Sequence, residues 1–118
     1  VMAILRGTVY SVDLGIPDGN GGVLPPKPWL IVSTNRRNRS LGTYLGVRIT
    51  TTSKFSHLPT VVALPPGEIA NGWALCDDLD VLYDEDFTGH TWGALSNTAM
   101  RAVERGLQAA LGMNDSGR

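Results

Sequence analysis

HTWGALSNTAMRAVERGLQAALG, residues 90–112, is where the chain changes period. Residues 90–95 read as a final strand. Beyond them, Met100, Val103, Leu107 and Leu111 recur on one helical face with Ala99 and Ala110 beside them. Ser96 stands where an N-cap belongs and Gly112 where a helix stops. One amphipathic helix at the end of a chain of short strands must bury its stripe against a sheet. The expected architecture is therefore mainly β with a C-terminal α-helix, in the form of a small β-barrel closed by that helix.

Working back from that helix, the strands come in short alternating runs. Residues 8–14 place Tyr10, Val12 and Leu14 on one face and Val9, Ser11 and Asp13 on the other, the pattern of a half-buried strand. In residues 15–28 eight of fourteen positions are Gly or Pro, which predicts a long flexible loop without a regular element. Residues 29–32 form an apolar run for a buried strand, and residues 34–42 are a polar connection. In residues 44–51, Leu45, Val47 and Ile49 lie on one face, with Tyr44, Gly46, Arg48 and Thr50 on the other. Residues 60–64 make a short strand between prolines. Residues 73–83 make another, with Trp73, Leu75, Leu79, Val81 and Tyr83 at alternate positions. There is no repeat; one domain spans residues 1–118, with a core over about 6–113 and a frayed tail over 114–118.

The 118 residues are 42% hydrophobic and 18% charged with a net charge of -1, which excludes collagen-like and wholly disordered chains. The lone Cys76 cannot form an internal disulfide, and no apolar run approaches the roughly 18 residues of a membrane-spanning helix. The chain reads as cytoplasmic. His57 and His90 stand far apart and Cys76 has no ligand neighbour, so no metal or other cofactor is expected.

The near-zero charge hides a segregation. Residues 19–67 carry six cations, Lys27, Arg36, Arg37, Arg39, Arg48 and Lys54, and no acid. Residues 68–90 carry seven acids, Glu68, Asp77, Asp78, Asp80, Asp84, Glu85 and Asp86, and no base. Such a basic half offers a footprint for phosphates, or else pairs with its own acidic segment. Lys27, ending the glycine-rich loop, and Arg48 can neutralise phosphate oxygens, while Thr50 can donate a hydrogen bond to them. Arg36, Arg37 and Lys54 extend the basic surface, and Trp29, Tyr44, Phe55 or Trp73 can stack unpaired bases where exposed. Each also has a structural role open to it: Trp29 as core, Thr50 as a strand former, Arg48 as partner of Asp77, Asp78 or Asp80.

The order Arg6-Gly7-Thr8-Val9-Tyr10, Asp13-Leu14, a glycine-rich loop, Lys27-Pro28-Trp29-Leu30-Ile31-Val32-Ser33, Arg48-Ile49-Thr50 and Gly93-Ala94-Leu95-Ser96 resembles the MazF/PemK family of toxin endoribonucleases. The resemblance covers residues 6 to about 113. It implies an SH3-like (CcdB/MazF-like) barrel, a homodimer, sequence-specific and metal-independent cleavage of single-stranded RNA, and neutralisation by a cognate MazE-like antitoxin. The family's catalytic threonine matches Thr50. Its catalytic arginine, placed just before a proline, is replaced here by Lys27, which keeps the charge without the bidentate fork.

Metal-free cleavage requires the RNA's own 2′-hydroxyl to attack the adjacent phosphorus in line, with a proton acceptor and stabilisation of the developing charge. A lysine ammonium suits stabiliser or acid better than base. Asp18 and His57 are the candidates for the acceptor. Two other functions compete: a gyrase poison of the CcdB branch, whose Trp-Gly-Ile tip is replaced here by Leu111-Gly112-Met113, and a non-catalytic barrel binding nucleic acid or peptides.

Overall fold

The computed structural model describes residues 3–113; the tail expected over 114–118 lies outside the described residues. The strands are β1 (Thr8–Val12), β2 (Lys27–Ile31), β3 (Thr43–Thr50), β4 (Val61–Ala63), β5 (Trp73–Tyr83) and β6 (Phe87–Ala94). The helices are α1 (Asn35–Leu41) and α2 (Asn97–Leu111), with a 3-10 turn at Asp84–Asp86. All pairings are antiparallel, in the order β4-β5-β3-β2-β1-β6.

The mainly β architecture with a terminal helix is as the sequence predicts, but the ladder is open. β4 and β6 occupy opposite edges and do not pair, so hydrogen bonds do not close the sheet into a barrel. The β4–β5 connection bridges part of this gap. Glu68 accepts from the Ser96 backbone N–H at 2.9 Å and from its hydroxyl at 2.6 Å, and Ile69 lies beside Gly93 of β6.

The sheet is buried on both faces. On one, Val9, Leu30, Val47, Ile49 and Ala74 pack against Ala99, Met100 and Val103 of α2. The opposite face carries Tyr10, Val12, Trp29, Ile31, Tyr44 and Leu82, with Phe87 edge-on to Tyr10 and Tyr44 at 5.4 and 5.5 Å. β1 is consequently buried from Val9 to Val12 rather than half-buried, because alternation shows two faces without showing that both are covered.

Ser96 caps α2, its hydroxyl accepting from Ala99 N–H at 3.1 Å, and Gly112 ends it in the left-handed region at φ 71°. The buried stripe is Ala99, Met100, Val103 and Gly106; Ala110 and Leu111 are exposed, since the last turn runs past the sheet. At Gly106 the helix approaches so closely that an added Cβ would lie 2.4 Å from Val62 Cγ2 and 2.8 Å from Cys76 Sγ.

Three further expectations need correction. The polar connection over 34–42 contains α1, capped by Thr34 and ended by Gly42, and anchored by the buried Asn38, whose side-chain oxygen accepts from Ser33 Oγ at 2.5 Å. It has no apolar stripe by which periodicity could reveal it. The glycine-rich segment holds a minimal hairpin: Pro17 bridges Val23, and Leu24 N–H donates to Ile16 at 2.7 Å. Lys27 accordingly opens β2 rather than ending a loop. Finally, β5 does not alternate throughout. Gly46 pairs with Asp80 and Arg48 with Leu75, so residues 76–79 bulge against Val47 alone. Its buried residues are Ala74, Cys76 and Leu82, while Leu79, Val81 and Tyr83 are exposed.

Candidate nucleic-acid interface

The start of β2, the later part of β3 and the middle of β5 converge on one hollow. β1 sets Val12 opposite Lys27 and Tyr10 opposite Trp29, and β3 sets Arg48 opposite Trp29. The β2–β3 pairing ends there, two residues short of Lys27 and Thr50, which share the strand parity of Trp29 and Arg48. Lys27, Trp29 and Arg48 line a cavity of about 430 Å³, with Leu14, Ile16, Leu24 and Pro25 from the β1–β2 connection on one side and Asp78, Leu79 and Asp80 from the middle of β5 on the other.

Within it, Lys27 is half-buried and its ammonium makes no hydrogen bond or ion pair with any described residue. Trp29 is 5% exposed, so it belongs to the core, and its ring also floors the cavity without standing free to stack on a base. Arg48 meets Asp78 at 3.4 Å across the mouth, realising in part the pairing between the basic and acidic halves. Arg48 also borders a second hollow of about 280 Å³ with Lys54, Phe55 and Leu58 from the β3–β4 loop. Phe55 is 60% exposed there, a ring available for stacking.

Thr50 ends β3 half-buried and lines neither hollow. Its hydroxyl donates to the Thr52 carbonyl at 2.8 Å and accepts from Thr52 N–H at 3.3 Å, a local turn that fixes its rotamer.

Other sequence candidates fall elsewhere. α1 joins the far end of β2 to the start of β3, so Arg36 and Arg37 stand at the opposite end of this ladder from Lys27 and Thr50. Arg37 is committed to Thr43, donating to its carbonyl at 2.9 Å. Asp18 shapes the hairpin tip, accepting from Asn20 N–H at 2.7 Å and Gly22 N–H at 3.2 Å. His57 is exposed in the β3–β4 loop and lines neither hollow. Tyr44 is buried, and its hydroxyl donates to Asp84 at 2.7 Å. That bond first, and burial second, push its pKa up to about 12, so it serves the core rather than a base. Trp73 is half-buried opposite Thr50.

Sequence reasoning missed Asp80, Leu79 and the apolar hairpin residues as cavity walls. The only signal was the run of acids itself, which cannot be aimed without the bulge. Among the described residues no three or more His, Cys, Asp or Glu gather to hold a metal ion, and no helix is long and apolar enough to cross a membrane.

Residues 5–111, which contain this whole site, match the PemK-like, MazF-like toxins of type II toxin-antitoxin systems. The chain belongs to that family. The toxin is 37% identical over 111 residues to endoribonuclease MazF1 of Mycobacterium bovis, covering 94% of this chain and 95% of the relative. Endoribonuclease MazF4 of Mycobacterium tuberculosis matches to the same extent. A mycobacterial endoribonuclease solved in complex with its cognate antitoxin superposes with a TM-score of 0.79 at 36% identity, covering 94% of the toxin and 97% of that chain. MazF of Deinococcus radiodurans superposes at 0.76 with 19% identity, covering 96% of the toxin and all of that chain, a likeness of fold alone.

Proposed function

We infer that the toxin is an endoribonuclease that cuts single-stranded RNA along the hollow lined by Lys27 of β2 and Arg48 of β3. The observation that carries this reading is Lys27: a half-buried residue whose ammonium has no partner among the described residues, lining one cavity with Arg48. Two cations on neighbouring strands hold successive phosphates, and an ammonium beside the reacting phosphate stabilises charge that develops on the non-bridging oxygens. In the reaction the 2′-hydroxyl gives up its proton, the 2′-oxygen bonds to phosphorus, and the bond to the 5′-oxygen breaks as that oxygen takes up a proton. The products are a 2′,3′-cyclic phosphate and a 5′-hydroxyl. Thr50 supports the phosphate from the strand end. The proton acceptor is not assigned: Asp18 is spent on its hairpin and His57 lies outside both hollows.

The partner that restrains this activity is a cognate MazE-like antitoxin, whose acidic extended segment fits the stretch from Lys27 through Arg48 to Lys54. The working form is the family's homodimer in the cytoplasm, and the two-faced sheet is an open version of the SH3-like barrel. The test is a single-stranded RNA and its twin with a 2′-deoxy sugar at the cut nucleotide. The RNA should yield a cyclic phosphate end and the twin should bind uncut; cleavage of the twin at the RNA's rate overturns the mechanism.

A further inference from the structure

The cavity above Trp29 contains groups that phosphate binding does not explain. Its volume of about 430 Å³ lies within the roughly 300–1,000 Å³ of pockets that enclose small molecules. Its walls are apolar: Leu14, Ile16 and Leu24 on the hairpin side and Leu79 on the bulge side. Yet Asp78 and Asp80 stand at its rim, and carboxylates repel a polyanion. In a groove for RNA their favourable partners are the N–H edges of bases.

The two acids are not equivalent. Asp78 is engaged by Arg48, whereas among the described residues Asp80 accepts only from the adjacent Val81 N–H at 2.8 Å, and its other oxygen has no partner there. Across the ladder Asp80 faces Gly46, which has no side chain to screen it. A Cβ there would lie 2.9 Å from Leu82 Cδ1 and 3.4 Å from Trp29, so the position is kept bare by the packing beneath.

We propose that this cavity is a guanine-selecting subsite, with the base between the apolar walls and Asp80 accepting from its Watson–Crick edge. The inference rests on the RNA-cleaving reading above. Guanine alone among the RNA bases presents two adjacent donors, N1–H and the 2-amino group, to the two oxygens of a carboxylate. Adenine and cytosine offer one amino group beside an acceptor nitrogen, and uracil one N–H between two carbonyls, so each sets a lone pair against Asp80. Lys27 and Arg48 take the flanking phosphates.

The experiment compares the toxin with its Asp80→Asn variant on single-stranded RNAs carrying G, A, C, U or inosine at each position around the cut. Inosine is guanine's base without the 2-amino group. At one position the wild type should prefer guanine to inosine on the order of tenfold in kcat/KM, as loss of one arm of a bidentate contact implies. In Asp80→Asn the rate on the guanine RNA should fall to that on its inosine twin, with an unchanged melting curve showing that the exposed substitution leaves the fold intact. A guanine-to-inosine ratio unaltered by Asp80→Asn, or no position that prefers guanine, overturns the subsite while leaving the nuclease reading standing. A wild type that cuts no single-stranded RNA overturns both.

Discussion

The Arg48 guanidinium lies 3.4 Å from the Asp78 carboxylate, with both side chains more than a third exposed at the mouth of the same cavity. The guanidinium proposed to hold phosphate is thus already occupied by an internal anion, which on that proposal RNA must displace. Asp78→Asn removes that competitor. An exposed pair is worth roughly 0.2–1 kcal/mol, so RNA affinity should rise by up to about fivefold, while the free protein loses the same pair and its melting temperature falls by no more than about 5 °C. Fluorescence anisotropy with an RNA blocked by a 2′-deoxy sugar measures this; weaker binding would mean that Asp78 orients Arg48 rather than competing for it.

Lys27 differs from Arg48 in having no such partner among the described residues, so on the proposed mechanism its charge is available to the reacting phosphate. Lys27→Ala should slow single-turnover cleavage by on the order of 10² to 10³, the loss seen for one preorganised donor, while RNA binding falls much less. Lys27→Arg should retain activity, since it keeps the charge at a cavity rim with room for a planar head. Neither variant removes a core contact, so both should melt as the wild type does. Full activity in Lys27→Ala would remove Lys27 from the catalytic groups.

What was legible in the sequence was what period and capping encode. Alternation in β3 places Arg48 and Thr50 on one face, and the shift at Ser96 marks α2, capped as expected at Ser96 and Gly112. Hidden features were those set by pairing between distant segments. No local pattern in residues 76–79 announces a bulge, because the bulge is defined by what β3 does opposite it. Likewise Arg36 and Arg37 look contiguous with the basic stretch, yet α1 carries them to the far end of the ladder. The hairpin over 16–24 is held by backbone bonds and Asp18, which composition counted in Gly and Pro does not register.

Glu68 ties the open edge of the sheet to the start of α2, and its pKa is lowered by the hydrogen bonds from the Ser96 hydroxyl and backbone. A carboxylate depressed in the folded state stabilises the fold above its unfolded value and loses that contribution as pH falls through the folded one. Glu68→Gln should therefore lower the melting temperature at neutral pH, and the gap should close below the ordinary glutamate range. Thermal melts of both proteins from neutral to acid pH check it; a gap that persists in acid would assign the effect to shape rather than charge.

Gly106 sets how closely α2 lies on β4 and β5, and two terms of opposite sign act when it becomes alanine. Helix propensity favours Gly106→Ala by about 1 kcal/mol. Against that, the new Cβ would sit 2.4 Å from Val62 and 2.8 Å from Cys76, and overpacking of a filled core costs about 1–3 kcal/mol. Val62 and Cys76 belong to paired strands and cannot simply swing away, so the clash wins and the variant should be destabilised. The Cys76 thiol reports the same contact independently. Burial, with a smaller contribution from Asp77, pushes its pKa up to about 11, so in the intact fold it is a poor nucleophile at neutral pH. Alkylation should wait on α2 lifting away, and Gly106→Ala should speed it in step with the fall in melting temperature. Val62→Ala combined with Gly106→Ala should recover part of both losses, because the two side chains compete for one space. A double variant no better than the sum of its singles would mean that the helix shifts as a body instead of clashing at Val62.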